Sequence, residues 1–318
     1  MPVSQFQQLN NYLNQQILGQ PELTHNILVA LLADGHLLVE GPPGLAKTRA
    51  IKALSDGIEA DFHRVQFTPD LLPADLTGTD IYRPENGSFE FQQGPLFHNL
   101  ILADEINRAP AKVQSALLEA MGEHQITVGS KTYQLPELFL VMATQNPIEQ
   151  EGTYPLPEAQ LDRFLMHLEV DYAGVEVEQQ ILKLSRNEAL GEMVKIDEKL
   201  TQQSIFSARK KILSLHMAPE LEQYLVQLII ATRQPAAYDQ QLASWLQFGA
   251  SPRATISLER CARANAWLAE RDFVTPDDIH SVFHNVLRHR LLLSYEAEAD
   301  GVTVNQVLDK ILALVPLP

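Results

Sequence analysis

Gly41-Pro42-Pro43-Gly44-Leu45-Ala46-Lys47-Thr48 is the stretch of sequence that decides the fold of this chain. An apolar run before it, 36–40, predicts a buried strand, and the segment from 47 to about 57 predicts a helix. A glycine-rich turn between strand and helix directs backbone N–H groups and the positive helix end into one cavity. The pattern therefore predicts a phosphate-binding loop. Lys47 would reach the β- and γ-phosphates, and Thr48 would place its hydroxyl on a magnesium ion.

Ala46 is the one irregularity in this loop, because the general pattern has glycine at that position. An alanine is tolerated there only if the position does not need a positive φ angle, which glycine alone adopts without strain. We therefore expect Ala46 to avoid positive φ. A plain turn joining a strand to a helix is the alternative, and the Lys-Thr pair in register argues against it. Arg49, the next residue, is included in the predicted nucleotide-binding set.

Composition is that of an ordinary folded protein, with 45% hydrophobic and 20% charged residues among 318. No stretch approaches the roughly 18 consecutive apolar residues of a membrane span, and no signal peptide is visible. Cys261 is the single cysteine, so no intramolecular disulfide can form, and its apolar helical context favours a small buried side chain. The cytoplasm is the simplest compartment. The formal net charge of −16 opposes general attraction to nucleic acid.

The order of apolar segments predicts two domains. Residues 1–171 alternate between strands and helices, whereas residues 172–318 are mostly helical, so we expect an α/β core followed by an α-helical domain. Five apolar runs predict a parallel sheet with helices on both faces, whose ligands lie at the carboxyl ends of the strands. These runs are Leu37–Val39, Phe62–Phe67, Leu100–Ala103, Leu138–Ala143 and Phe164–Val170.

Two further segments predict β-hairpins that project from the core. Residues 79–92 alternate around Asn86-Gly87, a strong hairpin-turn signal, and residues 125–135 alternate around Gly129-Ser130. Tyr82, Phe89 and Phe91 on the first hairpin either pack the hairpin itself or grip a substrate. Packing is the favoured interpretation. In the second part, 221–232 and 256–270 have helical periodicity, and Thr275-Pro276 predicts a helix N-terminus.

Carboxylates follow the third predicted strand. Asp104 and Glu105 would lie beside the phosphate loop at the carboxyl edge of the sheet. Asp104 would hold magnesium there, and Glu105 would orient and deprotonate the attacking water. Asn146 follows the next strand, where its amide could bind the γ-phosphate or this water; a simple turn-forming asparagine before proline is the equal alternative. Arg163 precedes the last strand, and its structural alternative is an ion pair with Asp162, Glu158 or Glu169.

These residues, in this order, resemble the AAA+ ATPases and specifically the MoxR group, over essentially the whole chain. The marks of that group are Gly-Leu-Ala-Lys-Thr in the phosphate loop and three later segments. These are Asp-Glu-Ile-Asn-Arg at 104–108, Ala-Thr-Gln-Asn-Pro at 143–147 and Glu-Ala-Gln-Leu-Asp-Arg-Phe at 158–164.

The resemblance implies a role for several residues that spacing alone does not assign. Asn146 matches the polar sensor of the fourth strand, and Arg163 matches the arginine finger that a neighbouring subunit inserts. Arg253 matches the second sensor, which would report the γ-phosphate to the helical lid. Ile17, Leu18 and Gly19 match a segment that packs around adenine. The two hairpins match the helix-2 insertion and the pre-sensor-1 hairpin of this clade.

The resemblance also implies ATP and Mg²⁺ as cofactors, a hexameric ring, a von Willebrand factor A-domain partner and a protein client. We expect ATP-driven remodelling or assembly of protein complexes. A nucleotide-dependent scaffold or switch needs the same pocket and stays open. A DNA-acting motor is disfavoured, because the hairpin tips carry Glu85 and only Lys131. Arg108 faces either a neighbouring subunit or solvent. The run 288–290, Arg-His-Arg, is expected to be a solvated or locally ion-paired face.

Overall fold

The computed structural model describes residues 2–85, 87–147, 152–192, 194–196 and 198–318. Asn86, which we expected in the turn of the first hairpin, lies outside the described residues. The helices are α1 (Pro2–Gln16), α2 (Pro21–Ala33), α3 (Lys47–Gly57), α4 (Pro73–Thr77), α5 (Ala111–Glu123), α6 (Glu158–Leu161), α7 (Val175–Ala189), α8 (Gln202–Leu213), α9 (Pro219–Arg233), α10 (Gln240–Trp245), α11 (Pro252–Leu268), α12 (Pro276–Leu287), α13 (Tyr295–Ala299) and α14 (Val304–Leu314). The strands are β1 (Leu37–Glu40), β2 (Phe62–Gln66), β3 (Gly78–Arg83), β4 (Ser88–Gln93), β5 (Leu100–Asp104), β6 (Gln125–Val128), β7 (Lys131–Gln134), β8 (Leu140–Gln145), β9 (Met166–Glu169), β10 (Leu246–Phe248) and β11 (Leu292–Leu293).

A five-stranded parallel sheet forms the centre of the fold, in the order β2-β5-β8-β1-β9. Its strands coincide with the five predicted apolar runs to within a few residues at each end. The phosphate loop follows β1, which lies between β8 and β9. The loop therefore shares the carboxyl edge of the sheet with the residues that follow β5 and β8, as expected for an open α/β sheet.

Helices cover both faces of this sheet. The side chains of β5 alternate between the two cores that lie on these faces. Leu100 and Leu102 pack into a core that includes α3, while Ile101 and Ala103 pack into a second core with α5. All four side chains are inaccessible to solvent. Burying a leucine side chain contributes about 1.5–3 kcal/mol, so the sheet is anchored from both sides. The α/β core predicted from sequence is confirmed.

The two predicted hairpins are present as the antiparallel pairs β3–β4 and β6–β7. Phe91 of the first hairpin stacks on Tyr133 of the second, with ring centroids 4.1 Å apart, and also contacts Phe97. Tyr82 and Phe89 face each other across the first hairpin with centroids 5.3 Å apart, yet both side chains are more than half exposed. Aromatic packing therefore joins the two hairpins at their bases and leaves the outer pair in solvent.

The C-terminal region is helical, as predicted, and packs against the N-terminal helices. One hydrophobic core includes residues of α1 and α2 together with α9, α11, α12 and α14. The helix α12 begins at Pro276, as predicted, and Asp278 Oδ2 accepts hydrogen bonds from the backbone N–H of Thr275 at 2.8 Å and from its hydroxyl at 2.9 Å. Cys261 is fully buried in α11, and burial raises the pKa of its thiol to about 12. A domain boundary at residue 171 stays a prediction, since this core draws on both parts of the chain.

The basic run 288–290 is not a solvated face, so that part of our expectation is wrong. His289 and Arg290 are buried, and Arg290 pairs with Asp162 at 2.8 Å. Arg288 donates to the backbone oxygen of His167 at 2.9 Å. Burial of Arg290 is tolerated because the Asp162 carboxylate and backbone oxygens of the α/β core accept its hydrogen bonds. Among the described residues, no helix is both long and apolar enough to cross a membrane.

Candidate active site

The phosphate loop curves around the Lys47 side chain. Its Nζ donates hydrogen bonds to the backbone oxygens of Gly41, at 2.5 Å, and Gln145, at 3.3 Å. Partial burial lowers the pKa of Lys47, while the charges of Asp104, Glu105 and Glu40 oppose that shift. Backbone carbonyls therefore hold the ammonium group at the carboxyl ends of β1 and β8.

Gly44 provides the open side of this loop. Its φ is +86°, and a Cβ built at this position would meet no atom within 4 Å. The backbone there faces empty space, so a bound group can approach it closely. This is the geometry that a phosphate cradle requires.

Ala46 adopts a left-handed conformation, with φ 56° and ψ 16°, immediately before α3. Our expectation that Ala46 avoids positive φ is therefore wrong. The loop needs this reversal to aim its N–H groups inward, whichever residue occupies the position. The methyl group makes the conformation cost about 1–2 kcal/mol more than glycine would. Backbone strain of this kind is typical of functional sites that the surrounding structure over-determines.

The two predicted carboxylates lie together beyond β5. Thr144 of β8 connects them, because its hydroxyl donates to Asp104 Oδ1 at 2.6 Å and accepts from the Glu105 backbone N–H at 2.9 Å. Glu105 has a φ of 57°, which turns its side chain away from the strand direction. Both carboxylates are partly exposed and lie close enough to Lys47 for their charges to affect its pKa.

Strand β2 supplies two site residues that the sequence analysis missed. Arg64 donates to Asp104 Oδ2 from Nε at 3.1 Å and from Nη2 at 2.6 Å. Gln66 donates to Glu105 Oε2 at 2.6 Å. The signal was the i, i+2 spacing of Arg64 and Gln66 in a predicted strand, which places both side chains on one face. Only the pairing of β2 with β5 shows that this face meets the carboxylates.

Two other polar residues lie at the same edge. Asn146 is buried and directly follows β8, so it occupies the position predicted for it. Arg108 is about 40% exposed, and its Nε lies 3.3 Å from Glu105 Oε2 in the same chain. Arg108 thus belongs to the local charge network of this site.

A cavity of about 460 Å³ adjoins the phosphate loop and has the size of a ligand pocket. Of the segment predicted to surround adenine, Leu18 lines this cavity. Ile17 instead packs in the core, and Gly19 packs against Val177. Much of the far wall comes from α7 and the segment before it, which sequence reasoning did not assign to the site. These residues are Tyr172, Ala173, Glu178, Ile181, Leu184, Ser185 and Glu188.

Arg49 joins three elements around this cavity. Its guanidinium donates to the Glu188 carboxylate of α7 and to Gln16 Oε1 of α1, the latter at 3.0 Å. Because none of the α7 residues is buried, these bonds are important for holding the helix over the cavity. Arg49 was predicted to bind nucleotide, and the structure places it at the cavity as a connecting residue.

Arg163 and Arg253 lie at the opposite edge of the sheet. Together they line a cleft of about 200 Å³ with Arg260 and with Asp34, which lies just before β1. The phosphate loop lies just after β1, so the strand separates this cleft from Lys47. The resemblance to AAA+ ATPases implies that Arg253 senses the γ-phosphate. The structure instead groups it with Arg163.

The carboxylates around this cleft are already paired. Asp162 bonds Arg290, and Asp34 lies 2.6 Å from Arg209. Arg163 instead donates from Nη1 to the backbone oxygen of Leu118 at 2.9 Å. An ion pair of Arg163 with Asp162, Glu158 or Glu169, the alternative weighed above, is not present among the described residues. The cleft therefore carries excess positive charge in a strongly acidic protein.

Comparisons with known proteins identify the family of this chain. The model of the ATPase family associated with various cellular activities (AAA) matches residues 36–166, and an AAA lid domain model matches residues 242–311. Chaperone MoxR1 of Mycobacterium tuberculosis is 43% identical over 95% of this chain and 79% of its own length. The chain belongs to the MoxR-type AAA+ ATPases. Protein MoxR of Paracoccus denitrificans is 30% identical over 99% of the chain and 97% of its own length.

A solved structure also shows this architecture. The crystal structure of an ATPase from Cytophaga hutchinsonii superposes on this chain with a TM-score of 0.92. The two chains are 44% identical, and the match covers 100% of this chain and 96% of the other. The MoxR-type assignment makes this protein an ATPase.

Proposed function

We propose that this protein is a ring-forming, Mg-ATP-hydrolysing motor whose catalytic sites lie between subunits. The observation that carries the proposal is the separation of its two halves. Lys47, Glu105 and the phosphate loop lie at one edge of the sheet, and Arg163 and Arg253 lie at the other. One chain cannot bring both edges to one nucleotide, whereas neighbouring chains in a closed ring can. A hexamer is the ring size that we propose.

The residues present fit ATP and Mg²⁺. Gly44 leaves room for phosphates, and the adjoining cavity has the volume of a nucleoside pocket. Thr48 and Asp104 offer a hydroxyl and a carboxylate, the hard oxygen donors that Mg²⁺ takes in addition to phosphate oxygens and water. When bound, Mg²⁺ neutralises charge on the β- and γ-phosphates.

Within one subunit, we assign the following roles. Lys47 contacts the β- and γ-phosphates, and Asn146 hydrogen-bonds the γ-phosphate or the attacking water. Glu105 accepts the proton of that water. One oxygen of this carboxylate, Oε2, accepts a hydrogen bond from Gln66 at 2.6 Å.

The neighbouring subunit contributes positive charge. Arg163 stabilises charge on the transferring phosphoryl group, a contribution worth about 10³–10⁵ in rate in related systems. Arg253 lines the same cleft, so we propose that it acts on the neighbour's nucleotide rather than on its own. Because the carboxylates of the cleft are paired with other arginines, the charges of Arg163 and Arg253 can act on an anion.

The proposed substrate of the motor is protein. We propose that the ring remodels or helps assemble a client complex, together with a von Willebrand factor A-domain partner. The exposed pair of Tyr82 and Phe89 offers apolar contact area on the first hairpin. A nucleic-acid track would need basic loops, and the hairpin ends carry Glu85, Arg83 and Lys131, with Arg83 already paired to Glu90.

The Glu105→Gln variant tests the hydrolytic assignment. It should bind ATP with unchanged affinity and lose turnover, because an amide cannot accept the proton. Affinity isolation of this variant with ATP should retain a client or partner protein for identification. Turnover at the parent rate would show that Glu105 is not the base.

A scaffold or switch that never uses hydrolysis is distinguished by a second measurement. Client remodelling is compared with ATP and with a nonhydrolysable analogue. We expect remodelling with ATP only. Equal remodelling with both nucleotides would make this protein a nucleotide-dependent switch.

A further inference from the structure

Arg64 forms an ion pair with Asp104, the carboxylate that we assign to the metal. Its Nε and Nη2 both donate to Asp104 Oδ2, at 3.1 and 2.6 Å. The other oxygen of that carboxylate, Oδ1, accepts from the Thr144 hydroxyl at 2.6 Å. Both oxygens of Asp104 are thus engaged within the chain before any metal arrives.

The Asp104 carboxylate is well shielded, whereas the Arg64 side chain is not. Asp104 is 13% exposed and Arg64 is 50% exposed. A shielded carboxylate interacts strongly with a nearby cation, because water screens it poorly. An arginine that is half in solvent can move away from its partner at little cost in desolvation. Another cation can therefore replace Arg64 at the Asp104 carboxylate.

Strand pairing fixes Arg64 in this position. Arg64 lies opposite Leu102 and Gln66 lies opposite Asp104 in the parallel register of β2 and β5. Residues two apart on a strand share a face, so Arg64 projects toward the same side as Asp104. Arg64 also donates to Gln66 Oε1 at 3.0 Å, which limits the orientations of its guanidinium group.

We propose that Arg64 is a metal-gating residue, which occupies Asp104 until Mg²⁺ arrives together with nucleotide phosphates. Mg²⁺ dehydrates reluctantly and binds through few carboxylates when phosphates supply further ligands. A bare ion gains only Asp104 and Thr48 and has to displace Arg64. An ion that is bound to ATP brings its own phosphate ligands and displaces Arg64 more easily. The gate keeps the site closed to free divalent cations.

The test is metal binding to the nucleotide-free, full-length protein, which is independent of ring assembly and hydrolysis. Mn²⁺ serves as the probe for Mg²⁺, and the free ion is measured by electron paramagnetic resonance. Arg64→Met keeps the length of the side chain and removes its charge. We expect this variant to bind Mn²⁺ on the order of tenfold more tightly than the parent, the scale of effects of residues that contact metal ligands.

Two further variants make the result specific. Arg83→Met removes an arginine of equal exposure, at 51%, whose partner is Glu90 rather than a site residue. It should leave Mn²⁺ affinity unchanged. Adding Asp104→Asn to Arg64→Met should abolish the gained affinity. Thermal unfolding of each variant verifies that the exposed substitutions leave the fold intact.

Equal Mn²⁺ affinity in the parent and in Arg64→Met, or no detectable binding in either, would overturn the inference. The inference rests on the metal role of Asp104 in the proposed function, and the two fail in different ways. If the parent binds and hydrolyses ATP with Mg²⁺ while Arg64→Met gains no Mn²⁺ affinity, the gate alone is wrong. If the parent shows no Mg²⁺-dependent hydrolysis, the proposed function is wrong.

Discussion

Arg290 donates a hydrogen bond from Nε to Asp162 Oδ1 at 2.8 Å, and this buried pair ties the helical region to the loop that carries Arg163. The other oxygen of Asp162 accepts from the Ser251 hydroxyl at 2.7 Å, two residues before Arg253. One carboxylate thus positions the segments that carry Arg163 and Arg253.

Substitution of Asp162 by alanine should lower the free energy of unfolding by about 3–5 kcal/mol, because it leaves the Arg290 charge buried without its partner. Urea unfolding measures the change. Glu90→Ala is the matched control, since it breaks an ion pair in which both side chains are more than half exposed. It should cost less than about 1 kcal/mol. Equal losses in the two variants would contradict a structural role for Asp162.

Replacing Ala46 by glycine should raise the free energy of unfolding of the nucleotide-free protein by up to about 1 kcal/mol. Glycine adopts the observed φ of 56° without the steric cost of the methyl group. Glycine also gives the unfolded chain more conformational entropy, which offsets part of the gain in stability. Ala50→Gly, in the interior of α3, should instead lower the free energy of unfolding by about 0.5–1 kcal/mol or more. A loss of stability in Ala46→Gly would show that the left-handed conformation is not strained.

Substitution of Arg49 by alanine should weaken ATP binding about fivefold, because α3 loses its bonds to α7 and to α1 beside the cavity. Both side chains of the Arg49–Glu188 pair are about 30% exposed, which limits the expected effect. Titration with a fluorescent ATP analogue, in the Glu105→Gln background, measures the affinity. Lys52→Ala, an exposed position on the same helix, should leave it unchanged. Weakening by both variants would point to a general charge effect.

Acidification should destabilise the protein between pH 6.5 and about 4. Burial lowers the pKa of His36 from 6.5 to about 4, and its Nδ1 accepts from the backbone N–H of Val141 at 3.1 Å. Burial also lowers the pKa of His289 well below the ordinary value. In this window the two histidines are protonated in the unfolded chain but stay neutral in the folded chain. The free energy of unfolding therefore decreases as the pH falls.

Each such histidine should reduce the free energy of unfolding by about 1.4 kcal/mol per pH unit in that window. Urea unfolding at a series of pH values measures the slope. His36→Gln removes one titrating group and should make the slope shallower. An unchanged slope in that variant would show that His36 does not contribute to the acid sensitivity.

The grouping of Lys47, Asp104 and Glu105 was predictable because these residues follow apolar strands at one sheet edge, where the local pattern fixes their position. The cleft was not predictable in the same way. Arg163 and Arg253 are far apart in sequence, and only the packing of α11 and the Asp162–Arg290 pair bring them together. The φ of Ala46 was predicted wrongly, because the residue type was taken as evidence of conformation when the loop dictates it.

The contribution of α7 to the cavity also could not be predicted. Its side chains lack a buried stripe, so its periodicity gave no sign of where it packs. Burial of Arg290 was equally hidden, since a short basic run usually faces solvent and its partner Asp162 lies on a distant segment.

The central claim is that each catalytic site is shared between subunits, and subunit mixing tests it most directly. Arg163→Ala and Glu105→Gln proteins should each hydrolyse ATP very slowly alone. Mixed under verified subunit exchange, they should recover activity, because a Glu105→Gln subunit supplies an intact Arg163 to the intact Glu105 of its neighbour. An absence of recovery at every mixing ratio would contradict the shared site.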